Sequence, residues 1–384
     1  MSRSANQARL ARVCSLLGKD GQFSRLGKGK VDAFLLTCQD GAGWEDIYYL
    51  TGFTGTSSVL LLTSDGGRLV VDPRYLDAAK ATSCCDVISC KEARFLSPLE
   101  AAVNILCATR PEKVAFGGRR IRHTAYRALG AFLADCGCDA ELLDLSGLIS
   151  NFRRQKCQEE IQEISMAIQI AASAYESAKS EACAGMSERD FAARLEYKMK
   201  ARGADFTDPI PVMVASGWRT ALPHALPTDR RFNGGDLVMV DFCARSSGYL
   251  CDITRMFSIG APSDDVKSVY SILRWAQAEA SALLRPGAQT KDVDAAVTGV
   301  MAGAGLGGFC AHSAGHGIGL CVHESPSLGA TSGDRLAEGD VVALEPGFYK
   351  SGRFGMRLED NYLVTKDGAV KLTDILSDDL FVVS

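Results

Sequence analysis

No stretch of this sequence has the run of about 18 apolar residues that a membrane-spanning helix requires. The opening MSRSANQARLARVCSLLGKD is basic but lacks the apolar core and small-residue cleavage site of a secretory leader, so a cytoplasmic location is expected. Basic blocks are missing too. The 46 acids against 42 bases give a net charge of −4, which argues against nucleic acid or an anionic membrane as a partner. Histidine is scarce, with five in the chain, so where they fall carries weight. Cysteine is plentiful at fourteen, yet no CxxC pair occurs and many lie in apolar runs such as Val31–Cys38 and Val238–Cys243. They read as buried, reduced thiols.

A chain of 384 residues exceeds what one core usually serves, so two domains are expected, 1–150 and 151–384, with the boundary at the polar stretch Asn151–Cys157. The first reads as an α/β unit. Strands are predicted at Lys30–Leu36, Ile47–Leu50, Ser57–Leu62 and Arg68–Val71, the last two meeting at the Asp65-Gly66-Gly67 turn, with helices at Leu76–Thr82, Pro98–Ala108 and Arg122–Cys136. Asp46 and Arg74 read as surface or capping residues, and nothing in this part resembles a catalytic constellation. The second part opens with an amphipathic helix, Glu159–Ala184, and another over Ser187–Ala201, where Ser187 as N-cap and Asp190 make a capping-box-like start. Helices then recur at Ser263–Leu284 and Thr290–Ala304, and Gly185–Ala193 aligns with Gly287–Ala295. Helix, helix and hairpin in the same order twice imply an internally duplicated α+β domain with a pseudo-twofold axis.

Such symmetry brings two hairpins to one place. In Leu237–Phe242 an apolar strand carries Asp241, and Tyr249–Met256 returns after the turn residues Arg245-Ser246-Ser247-Gly248. A two-residue loop at Ser246-Ser247 sets Asp241 opposite Asp252. In the second half, Asp340–Glu345 and Arg353–Val364 form the counterpart, with a turn near Gly352 that sets Glu345 opposite Glu359. Like charges this close in an apolar sheet suppress each other's ionisation unless a cation lies between them. Between the hairpins, AHSAGHGIGLCVHE (311–324) holds three of the five histidines, with His316 flanked by glycines. Asp241, Asp252, His316, Glu345 and Glu359 form a mostly hard-oxygen donor set, too rich in carboxylate for a single zinc, and fit a pair of divalent ions. Hydrolysis is the implied chemistry.

At these motifs the sequence resembles the metallopeptidases that include Xaa-Pro aminopeptidase, prolidase, creatinase and methionine aminopeptidase, which share the "pita-bread" fold. VDF (240–242), SGYLCDITR (247–255), GHGIGLCVHE (315–324), EPG (345–347) and GMRLED (355–360) carry the resemblance in the second part, and YYLTGFTGTSSVLLLTSDGGRLVVDPRY (48–75) carries it in the first. It implies a pita-bread catalytic domain behind a smaller creatinase-like α/β domain that limits access to the site, and a homodimer. It also implies two divalent ions, manganese first and cobalt or zinc as alternatives. Asp241 would chelate one ion, Asp252 and Glu359 would bridge both, and His316 and Glu345 would complete the second. Glu345 would also handle the proton of a bridging hydroxide; His224, His312 and His323 would hold substrate and the tetrahedral intermediate, and Arg357 would steady the site. The leading expectation is a metallo-aminopeptidase acting on peptides with proline in second position. Prolidase, acting on Xaa-Pro dipeptides, is the runner-up, ahead of a non-peptide C–N hydrolase. Two departures stand out: Cys243 follows VDF where glycine is common, and Cys321 replaces an acid two residues before His323.

Overall fold

The computed structural model describes residues 2–18, 21, 23, 29–205 and 211–383, which fall into two compact units, Met1–Arg153 and Arg154–Ser384. In the first, β1 (Ala33–Gln39), β2 (Ser57–Thr63) and β3 (Gly66–Val71) pair antiparallel, and β4 (Asp86–Ser89), β5 (Lys113–Phe116) and β6 (Glu141–Asp144) add in parallel, giving the order β4-β3-β2-β1-β5-β6. The middle of β1 and β2 is buried throughout, as in a sheet covered on both faces. One apolar cluster joins Leu35, Val59 and Val114 of the sheet to Leu99 and Val103 of the helix Pro98–Cys107 and Leu129 of the helix His123–Asp135.

Four expectations fail in this unit for local reasons. Ile47–Leu50 lies in a helix, Trp44–Thr51, where a strand was expected. A four-residue apolar run cannot distinguish the two, and the context decides: Gly43 and Gly52 bound the segment in left-handed conformation, and Glu45 and Asp46 occupy its first turn. Asp46 is buried, not a surface residue, and its carboxylate accepts from Arg153 Nη1 at 2.7 Å. Arg153 belongs to the helix Ser146–Arg154, which replaces the start of the expected polar connector. The β2–β3 pairing, Thr63 with Gly66, makes Ser64-Asp65 the turn, a position earlier than the glycines suggested.

The second unit has the expected repeat. The helices Gln158–Lys179 and Glu188–Ala201 precede one set of strands, and Asp264–Ser281 and Thr290–Gly303 precede the other. The two halves copy each other's hydrogen bonds. The N–H groups of Gly185 and Gly287 each donate at 2.8 Å, to Phe232 and Leu336 respectively. Arg231 returns a guanidinium to the Gly185 carbonyl at 2.6 Å and Arg335 to that of Gly287 at 2.7 Å. Asp236 and Asp340 each accept from a nearby backbone N–H at 2.8 Å and from an arginine, Arg230 and Arg154. The Ser187 capping box forms as read, its hydroxyl accepting from Asp190 at 3.0 Å.

In the first half, β7 (Met213–Ser216), β8 (Leu237–Phe242), β11 (Ile253–Ile259) and β19 (Phe381–Val383) make a sheet in the order β19-β11-β8-β7, with the small ribbon β9 (Arg245–Ser246) and β10 (Tyr249–Leu250) at the hairpin tip. In the second, β12 (Gly315–Gly317), β13 (Glu324–Leu328), β14 (Val341–Leu344), β17 (Asp360–Thr365) and β18 (Gly368–Lys371) are ordered β13-β12-β14-β17-β18. Its tip ribbon is β15 (Gly347–Lys350) with β16 (Phe354–Arg357). Leu237 and Met239 of β8, Val342 and Leu344 of β14 and Leu273 of the helix Asp264–Ser281 share one core. Thr254 bridges to Glu359, so the second strands of the two hairpins touch at the centre of this unit.

Candidate metal centre

The register of the first hairpin differs from the expected one. Tyr249 pairs with Ser246, and Thr254 with Asp241, so the turn is Ser247-Gly248 and Asp241 faces Thr254 instead of Asp252. The cause is the turn type. Ser247 and Gly248 have φ of +44° and +83°, the two positive values of a type I′ turn, and glycine tolerates them where Ser246 would not. Asp252 lies in the irregular step between β10 and β11, diagonal to Asp241. In the second hairpin the pairs Leu344–Asp360 and Gly347–Arg357 have the same register, which leaves Glu345 and Glu359 matched across the break between the ribbons.

The nine residues singled out from the sequence, Asp241, Asp252, His316, Glu345, Glu359, His224, His312, His323 and Arg357, all line one cavity of about 520 Å³. Among the described residues, Asp252, His316 and Glu359 form the tight group, with one ligand atom from each lying within 4.8 Å of the others. His316 Nε2 is 3.7 Å from Asp252 Oδ2 and 3.7 Å from Glu345 Oε1. Asp241 stands apart in one respect: its Oδ2 accepts a hydrogen bond from Arg357 Nη2.

His316 reports most directly on what the group is for. Its Nδ1 lies 3.1 Å from the Gly317 carbonyl, which only accepts, so Nδ1 carries the proton and Nε2 the lone pair. That Nε2 is buried and has no hydrogen-bond partner among the described residues. Burial, reinforced by the neighbouring His323, pushes the ring's pKa down to about 4, so it is a neutral donor at physiological pH.

Burial is also the first cause that raises the pKa of three acids, Glu345 to about 7 and both Asp252 and Glu359 well above the usual carboxylate range. Like charge adds to it, Asp241 acting on Asp252 and Glu345, and Asp252 on Glu359. Among the described lining residues, four acids face one guanidinium, Arg357, and the His312 and His316 rings that burial holds neutral. A buried unpaired carboxylate costs several kcal/mol, which a cation among these oxygens would offset. An imidazole nitrogen without a partner among the described residues and acids that cannot all ionise together fit a divalent metal ion.

The flanking groups form a connected chain. Arg357 Nη1 donates to Tyr349 Oη at 2.8 Å, and Tyr349 Oη lies 2.8 Å from His312 Nε2. His312 Nδ1, 2.9 Å from the Ser313 carbonyl, is the protonated nitrogen, so the tyrosine hydroxyl donates to Nε2. Gly347 makes room for this link, since a Cβ there would come within 2.7 Å of both His312 Nε2 and Tyr349 Oη. His323 stacks edge-on against His316 with ring centroids 4.3 Å apart, and His224 is exposed at the rim.

Sequence reasoning missed Tyr349, Thr254 and Asn361. Thr254 Oγ1 donates to Glu359 Oε2 at 2.7 Å and accepts from Arg357 Nε at 2.9 Å. Asn361 clamps the backbone of Asp252, accepting its N–H at 3.1 Å and donating to its carbonyl at 2.7 Å. The period-two rule could have found two of them, since Thr254 and Asn361 each lie two residues past a metal candidate. Cys243 Sγ lies 3.1 Å from Asp252 Oδ1.

Residues 162–366 match metallopeptidase family M24, and residues 24–155 match the creatinase/prolidase N-terminal domain. An Xaa-Pro dipeptidase of Pyrococcus horikoshii is 38% identical over 353 residues, spanning 91% of this chain and 94% of that protein. An Xaa-Pro dipeptidase from Bacillus anthracis superposes with a TM-score of 0.87 at 30% identity, covering 100% of both chains. An X-Pro aminopeptidase from Thermotoga maritima does so with a TM-score of 0.85 at 31% identity, covering 94% of this chain and 98% of its own.

Proposed function

The chain belongs to metallopeptidase family M24, and from that premise we propose that it is an Xaa-Pro dipeptidase, hydrolysing the bond between an N-terminal residue and a C-terminal proline. This reverses the order of the two expectations drawn from the sequence. Dipeptidases at 38% and 30% identity, each matched over nine-tenths or more of both chains, support the runner-up over the aminopeptidase. The aminopeptidase reading is retained as the alternative because of the Thermotoga structure.

The observation that carries the hydrolytic reading is the orphaned Nε2 of His316 facing Asp252 and Glu345 in a cavity with four acids. Asp241, Asp252, His316, Glu345 and Glu359 would hold two divalent cations. When bound, such ions polarise the scissile carbonyl and make water a nucleophile at neutral pH. Glu345 is the proton carrier: its carboxylate, 3.7 Å from His312 at Oε2, takes the proton from water and hands it to the departing proline nitrogen. His323 and His224, at the open side of the cavity, donate to the substrate carbonyl oxygen as charge builds on it. Arg357 and Tyr349 fix the His312 ring that faces the substrate.

Residues 1–150 are proposed as a non-catalytic domain and 151–384 as the catalytic one. Manganese as the metal, a homodimer and a cytoplasmic location complete the reading. The deciding experiment measures release of proline from Ala-Pro and cleavage of Ala-Pro-Ala by the purified protein, with and without added manganese. Manganese-dependent cleavage of the dipeptide alone is expected. Cleavage of the tripeptide at comparable kcat/KM would establish the aminopeptidase instead, and inertness of metal-loaded protein toward both would end the Xaa-Pro reading.

A further inference from the structure

Three cysteines of the first unit take no part in the metal centre. Cys107 ends the helix Pro98–Cys107, while Cys136 and Cys138 flank Gly137 just beyond the helix His123–Asp135. Backbone bonds fix that turn: the N–H groups of Gly137 and Cys138 donate to Ala134 and Leu133 at 2.8 and 2.9 Å, with Gly137 at φ +64°. Side chains then lay it against the end of the neighbouring helix. Cys136 Sγ is 3.5 Å from Oδ1 of Asn104, which lies one turn before Cys107 on the same helix face. Cys138 Sγ is 3.7 Å from the carbonyl of Pro111, just past that helix end, and Cys107 and Cys138 pack on the same apolar cluster. Burial first, and then the nearby Cys136 and Cys138 thiols, pushes the Cys107 pKa up to about 12. All three are reduced, with Cys136 exposed and the other two half-buried.

We propose that Cys107, Cys136 and Cys138 form a reversible thiol–disulfide site, in which exposed Cys136 meets the oxidant and Cys107 closes an intramolecular disulfide. The oxidant class is a low-molecular-weight disulfide, RSSR. The Cys136 thiolate attacks one sulfur of RSSR, forming the mixed disulfide Cys136–S–SR and releasing RS⁻, which takes up the Cys136 proton. The Cys107 thiolate then attacks the Cys136 sulfur, breaking the mixed disulfide and releasing a second RS⁻, which takes up the Cys107 proton. The protein gives up two electrons and two protons, and RSSR becomes two RSH. The order follows from position: Cys107 is a half-buried thiol of high pKa and a poor first nucleophile, whereas Cys136 faces solvent. Cys138, also beside Cys107, supplies a second closing partner by exchange. The bond staples two helix ends that are far apart in sequence, which strengthens the first unit against unfolding.

The test incubates the full-length protein with oxidised glutathione, quenches by alkylation and maps unreduced peptides by mass spectrometry. A linked peptide joining Cys107 to Cys136 or Cys138 is expected as the main form of Cys107, lost on reduction, with a higher thermal midpoint in the oxidised protein. The Cys107→Ser variant should hold glutathione on Cys136 and gain no midpoint. Glutathione persisting on wild-type Cys136, a Cys136–Cys138 bond alone, Cys107 linked outside this trio, or no change at these residues would each overturn the proposal. The wild-type map decides alone if the variant does not fold.

Discussion

At the scale of single residues, the metal centre is a site where stability and function pull in opposite directions. Glu359 is buried beside Asp252 and Glu345, and without a cation each acid disfavours the others' charge. Replacing Glu359 with Gln keeps an acceptor for Thr254 and removes one charge from the crowd. In chelator, the thermal midpoint of Glu359→Gln should therefore equal or exceed that of the wild type, while hydrolysis falls by more than the roughly 10- to 100-fold that loss of an outer partner of a metal site costs. A midpoint well below the wild type's would mean that the acid is a structural partner and no ligand. Asn361 supplies the outer-partner comparison. Its amide clamps both backbone groups of Asp252, so Asn361→Ala should weaken metal binding by roughly 10- to 100-fold in a direct titration while leaving stoichiometry unchanged. Unaltered affinity would reduce the clamp to a contact that helps folding alone.

At the scale of elements, the hairpins show how far a pattern of side chains reaches and where backbone geometry takes over. Period-two alternation located β8, β11, β14 and β17, and thereby which acids share the centre. It could not choose between Ser246-Ser247 and Ser247-Gly248 as the turn, because that choice depends on which residues accept positive φ. Gly248→Ala should test this choice: a left-handed alanine costs about 1 kcal/mol, read as a lower urea midpoint at unchanged slope. No change in midpoint would mean that the turn relaxes freely and does not set the register. Long amphipathic helices were legible to within a few residues, as at Glu188–Ala201, because several apolar positions and a cap agree. Short apolar runs were not, and Trp44–Thr51 needed its two flanking glycines to declare itself a helix. The cysteines were half legible: Cys14, Cys38, Cys90 and Cys251 are buried as read, whereas Cys136, Cys157 and Cys183 are exposed, since apolar neighbours in sequence do not say which face a residue takes. Tyr349 escaped because its partner, His312, comes from a distant loop.

At the scale of the whole molecule, the charge crowding of one cavity should govern how stability depends on pH. In the metal-free protein Glu345 titrates near 7, above its ordinary 4.5, so the native state binds more protons than the unfolded chain in between. A raised native pKa gives stability that is complete below the unfolded pKa and lost as pH rises through the folded one. Asp252 and Glu359, raised by the same burial, act in the same direction. His312 and His316 oppose it: both are pushed down to about 4 from 6.5, so their contribution is present above the unfolded value and lost below it. By about pH 7.5 the histidines are mostly neutral in both states and the acids decide. From about pH 7.5 to about pH 8.5 the thermal midpoint in chelator should therefore fall, carried mainly by Asp252 and Glu359. Divalent metal reverses the requirement, because its ligands must be deprotonated and binding releases their protons. The midpoint gained on adding manganese at a fixed excess should then widen steadily over the same range. At 100 times its dissociation constant a ligand that binds only the folded chain stabilises by about 2.7 kcal/mol, so the gap is large enough to follow by calorimetry. A gap that stays constant with pH would show that the acids are already ionised without metal, and would remove the electrostatic reason for placing cations among them.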